Sequence, residues 1–452
     1  MTPDQSKATK RAVERINTKN AAYAKFYAYY DGRHTWNFSS KKFKNKYGQR
    51  LQELRENLCR VVVKAPASRL EVIGFQSETE IQNAAWDIWK GSNMPLQSGV
   101  LHREAFKTGD AYLIVWPNED NTAVFYPNPA ANMTVWKDPE SGQTTEAAKF
   151  WKGNDGFYYL TLYYADRIEK YISSTKADGK LSLTNITFKP REVKGESWPL
   201  ENPYKQVPVF HFVFENEMND FGRSLLTDVI PLNDALNKSY ADIFVAQEYN
   251  SMRQRWIAGL RVEEDEETGK KIEPYKADDA TWVAEDNEAK FGEFTDADLE
   301  KMLKVKQEAV RDVALVSGIP PSYFNLEQIG SAISGEALRK IEARFTAMIQ
   351  DAQRSFGETW ANAMSFALEV EEKLRPDLPI ETQWADAAPI SESEQLDNAL
   401  KKKNLGWSLE QIQRDFGLTD KQIKAMLAET KERDKTKMEN AAKFFDGGLP
   451  NS

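Results

Sequence analysis

One stretch constrains this chain more than any other. Between Ser334 and Leu374, apolar side chains recur at Leu338, Ile341, Phe345, Met348, Ala352, Phe356, Trp360, Ala363, Phe366 and Val370. Steps of three and four keep such residues on one face of an α-helix. A helix of that extent would be ~60 Å long, against ~11–12 residues for an average globular helix. An apolar stripe of that length needs neighbours throughout, supplied either by a sheet of the same chain or by adjacent copies of it.

A source for such a sheet lies upstream. From Gly109 the apolar period changes from 3.6 to 2. "DAYLIVWPNEDNTAVFYPNP" reads as strand, polar turn and strand, and further strands follow, broken by "DPESG" and "GNDG". "GKLSLTNITFKP" and "QVPVFHFVFEN" complete an antiparallel, β-rich unit from about 109 to 215, embedded in helices. Ahead of it, helical patterns cover about Thr9 to Tyr30, "GQRLQELRENLCRVVVKAPASRL", "TEIQNAAWDIWKG" and "PLQSGVLHREAFKTG", with Trp86 and Trp89 as core anchors. The fold class expected is α+β.

Past the strands, Leu232, Leu236, Tyr240, Ile243 and Phe244 mark a helix running from Pro231 to Trp256, ~39 Å long. A small acidic insertion follows, with strand-like pieces around "DEETGKK". The run Glu263, Glu264, Asp265, Glu266, Glu267 lacks the alternating ligand spacing of a calcium loop and reads as a solvated hairpin tip. Leu299, Leu303, Val310 and Val313 then mark another helix, with Thr295 placed to cap it. "SGIPPSYFNLEQIGSAISGEALR" joins that helix to the long one. Its two prolines stop a helix, and Gln328, Ile329, Gly330, Ser331, Ala332, Ile333 and Ser334 carry no charge. Beyond the long helix, Ser408 with Gln411 and Thr419 with Gln422 form capping boxes for two short helices, ahead of a polar tail expected to fray.

Composition narrows the chemistry. The 452 residues include 60 basic and 69 acidic ones, a net charge of −9. A protein that grips DNA phosphates carries a basic surface, so this one would meet nucleic acid without gripping it. The single Cys59, in an apolar context, reads as a buried inert thiol. His34, His102 and His211 show no metal-ligand spacing, and His211 reads as a packed strand residue. No apolar run approaches the ~20 residues that span a bilayer. The first residues show no hydrophobic leader, so synthesis and retention in a cytoplasm are expected.

The order of elements and several motifs resemble the portal proteins of tailed bacteriophages, in particular long-tailed phages of Gram-positive hosts. The motifs are "YYDGRH", "NLCRVVVKAPASRLEVIGF", "KTGDAYLIVW", "NPYKQVPVFHF", "FGRSLLTDVIPLNDALNKSYAD", "GIPPSYFN" and "SAISGEALRKIEARF". The resemblance extends to about residue 430. It implies a wing from residues 1–224 together with the long helix of 335–380. Two stem helices, 225–256 and 296–317, would flank a β-rich clip at 257–295. A tunnel loop would span 318–334, and a short helical crown with a flexible tail 381–452.

Further expectations follow from the same resemblance. They are a ring of twelve copies at one capsid vertex of the virion, assembled in the host cytoplasm, and double-stranded DNA passing through without sequence specificity. A terminase, a head-completion or adaptor protein and the major capsid protein would be its partners. The uncharged residues 328–334 would line the channel, and Glu263–Glu267 would contact the adaptor. Lys301, Lys304 and Lys306 would either place rings of positive charge in the channel wall or stand as ordinary exposed helix residues. No cofactor or metal is implied, and no catalysis.

Two other classes compete with this reading. An enzyme would show a nucleophile elbow, a P-loop or a metal motif, and none is present. A DNA-binding regulator is suggested by the helix-turn-helix outline of "WSLEQIQRDFGLTDKQIKAML", whose second helix offers only Lys421 and Lys424 as basic contacts.

Overall fold

Runs of β-branched and aromatic residues, buried on one face or on both, build the two larger antiparallel sheets. In this computed structural model, the described residues are 1–35, 55–176, 186–216, 218, 221–251, 255–259, 288–325, 335–372, 379–388, 392–415 and 420–446. The chain opens with α1 (Pro3–Tyr30), six residues earlier than its periodicity suggests. A capping box sets the start: Gln5 N–H donates to the Thr2 hydroxyl at 3.3 Å, and Thr2 N–H to the Gln5 side chain at 2.9 Å. Next come α2 (Cys59–Ala67), β1 (Val72–Gln76), α3 (Thr79–Gly91) and α4 (Met94–Thr108). Strands β2 (Asp110–Pro117) and β3 (Ala123–Asn128) form a three-stranded sheet with β10 (Val209–Val213), in the order β10-β2-β3. A second sheet runs β4 (Met133–Lys137), β5 (Thr144–Lys152), β6 (Tyr158–Tyr164), β7 (Arg167–Ser173) and β8 (Phe188–Pro190), with β9 (Leu200–Glu201) beside β7.

Helix α1 covers this second sheet. Ala12, Val13 and Ile16 bury against Ala148, Phe150, Leu160 and Leu162. Farther along, Tyr23 enters the core between the sheets with Tyr112, Ile114 and Val135. There the buried carboxylate of Asp110 joins three segments. It accepts from the Tyr23 hydroxyl at 2.7 Å and from Gly222 N–H at 2.8 Å, and lies 2.8 Å from His211 Nε2. His211 is thus the packed strand residue expected. Backbone crosses backbone here: a Cβ on Gly222 would lie 2.1 Å from the Gly109 oxygen, so no side chain fits.

The long helix is α7 (Gly335–Val370), 36 residues or ~54 Å. Its neighbours come from the same chain: β10, β2, β3, α3 and β13 (Glu381–Trp384). Phe345, Ile349, Ala352, Phe356, Trp360, Ala363, Phe366 and Val370 are buried, whereas Ile341, near its start, is exposed. Trp360 is the hub. Its ring meets Trp89 edge to face at 4.8 Å and Phe212 at 4.6 Å, and its Nε1–H donates to His102 Nε2 at 3.0 Å. Full burial pushes the His102 pKa down to about 3, which keeps the ring neutral as an acceptor. Strand β13 pairs with β1 (Thr382↔Phe75), so the chain returns to the body after α7 before its last helices begin.

Several expectations are corrected. The helix read from Pro231 to Trp256 spans Val229–Ser251, and Arg255 and Trp256 lie in a strand; the long helix expected over 335–380 ends at Val370. The helix read through 48–70 covers only Cys59–Ala67 among the described residues, and Arg55–Leu58 is not helical. Side chains from elsewhere take its backbone groups. Glu56 N–H donates to Asn237 Oδ1 at 3.0 Å, Leu58 N–H to Asn233 Oδ1 at 3.1 Å, and Glu56 C=O accepts from Asn237 Nδ2 at 3.0 Å. Thr295 is not the cap of the helix that follows it. Asp298 is, accepting from Lys301 N–H at 3.1 Å, and it starts the helix at Leu299. Past β13 the chain forms three helices, α8 (Glu392–Asn404), α9 (Leu409–Asp415) and α10 (Asp420–Asp446). The polar tail from Thr430, expected to fray, instead continues the last expected helix through Asp446, giving one helix of 27 residues, because Lys, Glu, Ala and Met are strong helix formers. Ser408 and Gln411 do form their capping box. Thr419 lies outside the described residues.

Candidate functional site

Two helices stand apart from the sheets: α5 (Val229–Ser251) and α6 (Leu299–Ser317), packed against each other. Each end of the pair is pinned. At one end, Asn250 grips the chain just ahead of α6 with both amide atoms. Its Nδ2 donates to Ala297 C=O at 2.9 Å, and its Oδ1 accepts from Ala297 N–H at 3.0 Å. Beyond that grip lie β11 (Arg255–Ala258) and β12 (Lys290–Glu293), an antiparallel pair. Glu263–Glu267 lie outside the described residues. At the other end, Asn233 and Asn237 hold Glu56–Leu58, and the Tyr29 hydroxyl meets the Asp234 carboxylate at 2.8 Å.

The turn that leaves α6 is held as firmly. Gly318 closes the helix at φ +72°, a left-handed conformation that glycine adopts without strain. Arg344, from α7, donates to the exposed carbonyl of Leu315 at 2.9 Å. Ile319 and Pro320 are buried, and Pro321–Phe324 forms one 3₁₀ turn that ends at Asn325 with φ +56°. Tyr323 packs against Phe345 at 5.4 Å between ring centres. Its hydroxyl accepts from Arg69 at 2.6 Å, and Arg69 also reaches the buried Glu342 at 3.4 Å. Three elements therefore fix the takeoff of the segment ahead of α7. Residues 328–334 lie outside the described residues.

The stem lysines fall into two sorts. Lys301 and Lys304 are exposed and pair along their own helix, with Asp298 at 3.0 Å and Glu300 at 2.8 Å. Lys306 is drawn inward. It meets Glu56 at 2.7 Å and lies 4.8 Å from the Tyr240 ring centre. On the other faces of α6, Leu303, Val305, Leu315 and Val316 are exposed among the described residues.

Residues 12–436 match the family model described as "Phage portal protein, SPP1 Gp6-like". The chain belongs to the phage portal protein family. Its relatives agree with this: the portal protein of Mycobacterium phage D29 is 25% identical over 386 residues, covering 79% of this chain and 75% of the relative. That of Mycobacterium phage L5 is 24% identical over 393 residues, covering 81% and 76%. Among solved structures, a chain from the neck of an empty GTA particle aligns at 14% identity with a TM-score of 0.49, covering 85% of this chain and 95% of that one. Portal proteins are structural components of phage particles, which accounts for a chain whose conspicuous features are packing devices.

The sequence reading missed the residues that hold this portal protein's helix pair in place: Asn233, Asn237, Asn250, Arg69, Glu342 and Arg344. One signal was present. Asn233 and Asn237 sit four apart beside Leu232 and Leu236, where apolar residues are usual.

Proposed function

We propose that copies of this chain form a ring, of twelve in the virion, that serves as the DNA channel at one capsid vertex. In this reading residues 1–224 and 335–380 make the wing, α5 and α6 the stem, 257–295 the clip, 318–334 the tunnel loop and the last helices the crown. Double-stranded DNA passes through during packaging and ejection without being read. A terminase supplies the work of packaging, and this chain catalyses nothing. The clip docks a head-completion or adaptor protein, and the wing meets the major capsid protein. Assembly takes place in the host cytoplasm.

The observation that carries this reading is the helix pair. It is pinned at both ends, yet leaves Leu303, Val305, Leu315 and Val316 for something outside the subunit to cover. Neighbouring copies in a ring would do so. The test is packaging by particles whose portal carries Ser331→Lys together with Ser334→Lys. Ring assembly should be normal while packaging slows, and higher salt should relieve the defect by screening the phosphates. Normal packaging would remove 328–334 from the channel lining and leave Lys301 and Lys304 as its candidates.

A further inference from the structure

The sheet β4–β8 has a second face. Ala148, Phe150, Leu160 and Leu162 point at α1, so the period of two sends Lys149, Trp151, Tyr159 and Thr161 the other way. Toward one end, Ala147 and Tyr163 carry this face into the core between the sheets. Toward the other end it opens. There Trp151 and Tyr159 are cross-strand partners, their rings stacked at 5.3 Å and 14°. Lys149 Nζ lies 5.1 Å from the Trp151 ring centre. The Arg191 guanidinium sits over both rings, 5.9 Å from Trp151 and 5.1 Å from Tyr159.

These two cations are half-buried, and among the described residues neither has an acidic partner. Lys170, on the same face, is paired with Glu196. Asp155 is taken by the Tyr159 hydroxyl at 2.6 Å. Arg191 Nε is shut off from water and has no hydrogen-bond partner among the described residues. Burial pulls the Lys149 pKa down. Half-desolvated charges without partners cost free energy.

We propose that this face docks an acidic, extended segment of another protein. Its carboxylates would take Arg191 and Lys149, and an apolar side chain between them would lie on the Trp151–Tyr159 pair. Charge complementarity selects this partner. A guanidinium fork matches a carboxylate, whereas a nucleic acid needs a long basic track, and this site offers only Lys149 and Arg191. The proposal uses no stem residue and stands independently of the ring.

The experiment titrates the purified full chain with a fluorescein-labelled peptide of Glu, Phe and Gly. About ten residues, at ~3.3 Å each, suffice to cross the sheet. A peptide with Gln in place of Glu, duplex DNA and tripolyphosphate serve as comparisons. The Glu peptide should bind, and salt should weaken it. Affinity should fall about tenfold or more in the Lys149→Gln, Arg191→Gln double variant, and Lys152→Gln should leave it unchanged. The double variant should melt no lower than the parent, because it sheds two unpaired charges. The proposal is overturned by no binding, by equal binding of the Gln peptide, by full affinity in the double variant, or by DNA or tripolyphosphate competing as well as the peptide does. A large drop in melting temperature on removing the two charges would make them structural and overturn it as well.

Discussion

Helices α7 and α6 are both amphipathic, and they spend their apolar residues differently. Along α7, from Phe345 to Val370, the stripe is sealed by strands and helices of its own chain. Along α6 only Val310, Val313 and Ala314 are sealed, while Leu303, Val305, Leu315 and Val316 remain between 43% and 68% exposed. The first helix organises a body that folds on its own contacts. The second is anchored to that body at its ends and leaves apolar surface exposed, which in the proposed ring neighbouring copies would cover.

The contrast breaks most sharply at Trp360. Trp360→Ala should cost about 3–5 kcal/mol, because it opens a cavity beside Trp89 and Phe212 and orphans His102. A thermal midpoint that barely moves would mean that the body is not held together along α7. A smaller loss, about 1–3 kcal/mol, is expected for Asn237→Ala, which strips Glu56 of partners for both its N–H and its C=O. Hydrogen exchange at 55–58 should rise in that variant while the strands stay protected.

The same body should respond to acid. His102 binds its proton at about 3 in the folded chain and near 6.5 when exposed. Below pH 6.5 the unfolded chain takes up a proton that the folded one refuses, so stability is lost as pH falls from about 6.5 toward 3. At pH 5 that amounts to about 2 kcal/mol. Melting curves of the parent and of His102→Gln between pH 7.5 and 5 check the sign: the parent should lose more. The smallest effect on folding belongs to Val305→Gln with Val316→Gln, within about 0.5 kcal/mol for each exposed position. Those two changes should nonetheless abolish higher-order assembly in sedimentation runs.

Much of this division was legible in the sequence because periodicity is a local property. The β2–β3 hairpin, the strands through β7 and the core of α7 follow from spacing alone, and so does the end of α6 at Gly318-Ile319-Pro320-Pro321. What escaped depends on contacts between residues far apart in the chain. Nothing near Glu56 announces that Asn233 and Asn237 will hold its backbone, and nothing near Tyr323 names Arg69 as its partner. Thr295 and Asp298 are both competent caps, and the Asn250 grip on Ala297 fixes the chain where Asp298 is the one in position. Residues after 430 look like a charged tail until their helix propensity is counted.

The claim that α6 keeps its apolar residues for neighbouring copies is tested most directly by electron microscopy of the purified protein. Class averages of the parent should show closed rings with a central hole, and Val305→Gln with Val316→Gln should show single subunits of unchanged melting temperature. Rings formed equally well by that variant, or a parent that stays monomeric at every concentration, would contradict the account.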